Sequence, residues 1–267
     1  MATENPPDKL PVIATASAAI KMPFVNWNEF FRLASILLAL IFLRLLIATP
    51  STPYVLSAHG RIGLVRGIIG LLLALALAVA SVPFQIAWIR LTLNGPKSVI
   101  NRPIWIFGRV EGGFLIGALA LVLVMIGPFA IGVAFALATR DLIQIFLVAV
   151  AVGLLIAGFA LGIRLWFIPI ELALQRYKGP RTSWNQSKGM AWRLFGLSLL
   201  LAAPPAIAAA ICDEIQASTV TYAGWVGLAV IGSIFTVAMH AWAVGGIALA
   251  YKRTAPPPAA DAAIAAS

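Results

Sequence analysis

Long uninterrupted apolar runs, separated by short basic stretches rich in tryptophan, fill most of this chain. The runs fall at roughly 30–48, 67–88, 114–138, 142–164, 194–212 and 224–250. Each is close to the length a helix needs to cross a bilayer, about 17–25 residues. They lack the polar alternation of barrel strands, and backbone groups in hydrocarbon must bond to one another, so helices are predicted. The expected fold is all-α: a polytopic membrane protein with six transmembrane helices over 24–253. Residues 1–23, rich in Pro, Ala and Thr, and the Pro/Ala segment 254–267 are read as disordered cytoplasmic tails.

The polar ends of the runs repeat. Spans one, three and five open on FFRL (Phe30–Leu33), FGRV (Phe107–Val110) and AWRL (Ala191–Leu194). Spans two, four and six leave through IRLTLNGP (Ile89–Pro96), ELALQRYKGP (Glu171–Pro180) and IALAYKRTAP (Ile247–Pro256). Three parallel helical hairpins describe this economically. Placing positive charge on one side of a membrane would also put an arginine at each such end. Internal repetition and simple topology therefore both account for the pattern.

Charge fixes the expected solvent and orientation. Charged residues make up 10% of the 267 positions and mean hydropathy is +0.98, whereas a soluble domain carries roughly 25% charge. The net charge of +10 sits beside the ends of the apolar runs, which favours anionic headgroups over nucleic acid as partner. With both termini cytoplasmic, only Arg44, Arg61, Arg66 and Arg140 of the nineteen Lys and Arg fall outside, and fifteen fall inside. Trp27, Trp88, Trp105, Trp166, Trp184 and Trp192 cluster at the same proposed inner interface, with Trp225 at the outer one. The first 22 residues carry no basic-then-apolar leader pattern.

Enzymatic chemistry finds little to work with. The chain has one cysteine, Cys212, two histidines and nine acidic residues, most of them at span ends. It contains no GxxxxGK[ST], HExxH, CxxC or GxSxG motif. No catalytic residue, metal site or cofactor is expected, and the short loops leave no room for an extramembrane catalytic domain.

The candidate sites are basic or buried in an apolar run. KSVINRPIWIFGR (Lys97–Arg109) and RTSWNQSKGMAWR (Arg181–Arg193) read as interfacial segments lying among headgroups. Arg32, Lys97, Arg102, Arg109, Arg181, Lys188 and Arg193 are candidate lipid-headgroup ligands; equally, these residues can serve only to hold the loops inside. His240, eleven residues before Tyr251, lies roughly 16 Å below the interface by helical rise. An ionisable group at that depth marks a possible transport path, or is satisfied by Thr236 one turn earlier. Arg44 is expected to snorkel outward or to pair with Asp141, Asp213 or Glu214. Arg164, Glu171 and Arg176 are read as a solvated ion-pair cluster. Gly127-Pro128 and Pro204-Pro205 are expected to interrupt their helices, and Gly153, Gly158, Gly162, Gly245 and Gly246 to permit close helix packing.

The stretch PIELALQRYKGPRTSWNQSKGMAWRLFGLSLLL from Pro169 resembles a family of uncharacterised bacterial six-span membrane proteins. It is similar to the membrane domain fused to some glycerophosphodiester phosphodiesterases. There too a helix exit, a polar segment rich in Ser and Trp, and a WRLFG opening to the next span recur. The resemblance implies an inner-membrane location. It implies no phosphodiesterase activity, because these 267 residues hold no such domain.

Taken together, the expected function is a non-enzymatic bacterial inner-membrane protein that binds membrane lipids or a partner protein through a basic cytoplasmic face. The alternative is a small transporter or channel, with a path near His240 and the proline-broken helices.

Overall fold

A computed structural model describes residues 10–48, 61–100, 107–137, 142–218 and 222–254. Arg102, Trp105, Arg140, Asp141 and the tail from 255 lie outside the described residues. So do the side chains of Arg61, Arg66, Asp213 and Trp225. The described chain is all-helical: α1 (Val12–Val25), α2 (Trp27–Ala48), α3 (Arg61–Asn94), α4 (Arg109–Leu137), α5 (Leu142–Arg164), α6 (Ile168–Ala173), α7 (Pro180–Gln186), α8 (Ala191–Ser218) and α9 (Tyr222–Thr254). Five helical segments are long and apolar enough to cross a membrane, or six if α1 and α2 form one bent span. This suits a multi-pass membrane protein.

The tail expected to be disordered over 1–23 instead holds α1. Thr15, Ala19 and Pro23 recur every four residues and form a buried stripe of small side chains, so α1 seats closely on α8 and α9. Arg193 donates to the Leu10 carbonyl at 3.3 Å and Arg253 to the Thr15 hydroxyl at 3.1 Å. The small residues gave no apolar signal in sequence, and the partners that order them lie more than 180 positions away. At Asn26 the chain turns by 85° into α2. The Asn26 amide and side chain both donate to the Met22 carbonyl, at 3.0 and 3.1 Å, which closes the end of α1.

Consecutive long helices pack α2 on α3, α4 on α5 and α8 on α9, and α9 also touches α1, α2 and α3. One core, Phe30, Leu33, Leu37, Phe84, Trp88, Leu91 and Val237 among others, joins α2, α3 and α9. Trp88, expected at the interface, is fully buried there and donates through Nε1 to the Ala241 carbonyl at 2.9 Å. The other core gathers Phe114, Phe167, Ile170, Leu194, Leu197 and Tyr251 from α4, α6, α8 and α9.

Glycine sets two of these contacts. A Cβ on Gly158 would lie 2.6 Å from the Met125 carbonyl oxygen, so α5 can approach α4 only without a side chain there. Gly245 faces the Trp88 indole in the same way, while Gly153 has open space around it. Helices α4 and α8 run on through Pro128 and through Pro204 and Pro205. The expected breaks do not occur, because neighbouring turns keep the helical path on either side of each missing N–H.

Candidate functional site: a basic end with docked loops

The exits of α3, α5 and α9 converge with the starts of α4 and α8 at one end of the bundle. Arg90, near the end of α3, donates through Nε and one terminal nitrogen to the Ala173 carbonyl at 3.0 and 2.8 Å. It ties the first pair of long helices to α6. Phe167 meets Tyr251 edge-on with ring centroids 5.5 Å apart, which ties α6 to α9.

The described parts of both loops are docked on this end. Gly95 takes a left-handed conformation (φ 79°) that stops α3 and is followed by a 3-10 turn, Pro96–Ser98. Val99 then inserts into the core beside Trp88. Arg32 clamps that insertion: it donates to the carbonyls of Val99 and Ile100 at 3.1 and 3.3 Å and pairs with Glu29 at 2.5 Å. In the second loop, Ser183 and Ser187 are fully buried on and beside α7. Their hydroxyls donate to the Arg164 carbonyl at 3.1 and 3.0 Å, satisfying an acceptor left open at the end of α5.

These contacts divide the candidate headgroup ligands into two groups. Arg32 and Arg193 already hold backbone carbonyls of docked segments. Lys97, Arg109, Arg181 and Lys188 are exposed, and among the described residues no ion pair or hydrogen bond holds their charged ends. Arg102 is outside the described residues. Arg164 is half-buried, its guanidinium over the Trp184 ring at 4.8 Å. Lys97, Arg181 and Lys188 are thus mounted on packed segments, and Arg109 on the first turn of α4.

Glu171 does not belong to the solvated cluster expected for it. It is 1% exposed, and neither carboxyl oxygen has a hydrogen-bond partner. Lys178 acts on this carboxyl, and the carboxyl in turn acts on the Tyr251 hydroxyl. The spacing from Arg164 placed Glu171 on the face of a continuous helix. The break at 165–167 between α5 and α6 turns it into the core instead.

His240 is half-buried on α9, with Nδ1 2.8 Å from the Thr236 carbonyl of its own helix. Arg44 is exposed near the end of α2. Among the described residues the one ion pair is Arg32–Glu29, so Arg44 is not joined to Glu214. No group of metal-ligating side chains occurs among the described residues.

An apolar slot of about 600 Å³ opens between α5 and α8, and a neighbouring one of about 280 Å³ lies between α8 and α9 where Phe159 of α5 reaches them. Sequence reasoning missed them, since they exist only because α5 leans on α8 at few points. No protein-family model, curated protein or solved structure matches the chain.

Proposed function

We propose that this chain is a non-enzymatic bacterial inner-membrane protein that binds anionic phospholipid headgroups at its basic end, with that end and both termini in the cytoplasm. In this reading the fold is three parallel hairpins, α2/α3, α4/α5 and α8/α9, with α1, α6 and α7 as interfacial connectors. The observation that carries it is the set of exposed, uncommitted cations Lys97, Arg181 and Lys188 on segments packed against the bundle and Arg109 at the start of α4. A rigid cationic rim meets an anionic leaflet without first ordering its side chains' backbone, and each cation there contributes about 1 kcal/mol. Exposed Trp27, Trp184 and Trp192 at the same end suit the headgroup level. A transport path past His240 has less support, because the imidazole is held by its own helix. The resemblance to the membrane domain of glycerophosphodiester phosphodiesterases agrees with this location and adds no activity.

The test is native mass spectrometry of protein released from membranes containing phosphatidylglycerol and phosphatidylcholine. Wild type is expected to retain phosphatidylglycerol preferentially. Replacing Lys97, Arg109, Arg181 and Lys188 together by Ala should reduce that preference by more than about tenfold. Equal retention of both lipids by wild type would overturn the reading, as would an unchanged preference in the variant.

A further inference from the structure

The α5–α8 slot and its smaller neighbour between α8 and α9 share Phe159 and Phe195, whose rings meet edge-on at 6.1 Å. The larger slot runs between Leu155, Phe159 and Ile163 of α5 and Trp192 and Phe195 of α8, and it ends at Arg164. By helical rise the stretch from Leu155 to Arg164 is about 14 Å long, close to the depth of one leaflet, about half of a 30 Å hydrocarbon core. The smaller slot passes the same aromatic pair on the α9 side, towards Leu201 and Ile247. Two adjoining slots divided by one pair of rings suit a lipid with two chains.

The mouth is built for a headgroup. Arg164 stacks on Trp184, and the stack keeps the guanidinium at the slot's end while leaving its N–H groups uncommitted among the described residues. Ser183 and Ser187 fix α7 beneath it through the Arg164 carbonyl. Arg181 lies on that same helix, Lys188 follows it, and both are exposed. Trp192, 85% exposed, stands at the rim. Positive charge is therefore found at the interfacial end of the groove, and apart from Ser198 the rest of its lining is apolar.

We infer that the groove between α5 and α8 is a specific site for one two-chain anionic glycerophospholipid, its acyl chains in the two slots and its phosphate on Arg164. The inference rests on the lipid-binding reading above and locates it at a site away from Lys97 and Arg109.

Three variants compared by native mass spectrometry, with melting temperature in detergent as the folding control, test it. Ala160→Trp, which fills the larger slot, should lower occupancy by one tightly held phosphatidylglycerol at least about tenfold. Arg164→Gln should leave a lipid bound but abolish the preference for phosphatidylglycerol over phosphatidylcholine. The pair Lys97→Ala and Arg109→Ala should leave that one lipid in place. Unchanged occupancy in Ala160→Trp, with lipid lost from the Lys97/Arg109 variant, would overturn the groove and spare the basic-face reading. Occupancy unchanged in all three would overturn the groove, and the basic-face reading would fall with it only if the four-cation variant also kept its preference. Should Ala160→Trp not fold, wild type is labelled with phosphatidylglycerol carrying a photoreactive acyl chain. Cross-links within 155–163 and 191–195 support the site, and cross-links confined to other helices overturn it.

Discussion

Helices α4 and α9 make opposite use of their side chains. The span Arg109–Ala134 of α4 has a mean hydropathy of 2.6 and buries 6% of its most apolar window, whereas Val226–Thr254 of α9 has 1.7 and buries 28%. The more apolar helix is the one left outside. In water the reverse would hold, since burial follows hydrophobicity. In hydrocarbon a leucine gains nothing by moving from lipid to protein, so close packing decides burial and small residues mark it. Ala229, Ser233, Val237, Ala241, Gly245 and Ala248 run down the buried face of α9, while Leu119, Leu123 and Ile126 of α4 stand exposed.

The contrast is open to direct attack by substitution, with detergent-solubilised unfolding as the measurement. Trp88→Ala, at the meeting of α2, α3 and α9, should destabilise most, by about 3–5 kcal/mol. Leu123→Ala on α4 should stay within about 0.5 kcal/mol. Equal losses at the two positions would break the comparison. Gly158→Val forces a side chain against the Met125 carbonyl and should cost about 1–3 kcal/mol. That loss should appear as loosening between α4 and α5, read by hydrogen exchange, with α9 unaffected. Arg90→Ala removes both donors to the buried Ala173 carbonyl and should cost about 1–3 kcal/mol, freeing α6 from α3. Arg32→Ala should also have a small effect, about 0–1 kcal/mol, because its pair with Glu29 is partly exposed. Its mark should be faster exchange at Val99 and Ile100 in the docked turn.

Much of the architecture was legible from local pattern. Each apolar run became a helix because any backbone in hydrocarbon must close its own hydrogen bonds. Gly95-Pro96 and Gly179-Pro180 marked real helix boundaries because their φ values, 79° and 114° at glycine, suit few other residues. Gly158 marked a close approach because no side chain can stand between α5 and the Met125 carbonyl, and Gly162 lies against the Met125 side chain. The candidate site was legible only in part. The candidate cations left out Arg164, and the division of the others into clamps and free groups depends on which carbonyls come within reach. Arg32 finds Val99 and Arg193 finds Leu10, contacts across 67 and 183 positions.

Other features had no local signal. Helix α1 carries too few large apolar residues to announce itself, and it is ordered by α8 and α9. Trp88 looks like an interfacial tryptophan until α9 presents the Ala241 carbonyl to it. Glu171 looks solvated until the turn at 165–167 redirects it. The sequence by itself determined that the long apolar runs are helical, because backbone hydrogen bonding and solvation act within a few residues. Only the tertiary structure decided which faces are buried, which arginines are free and where the α5–α8 groove opens, because those depend on shape matching between helices distant along the chain.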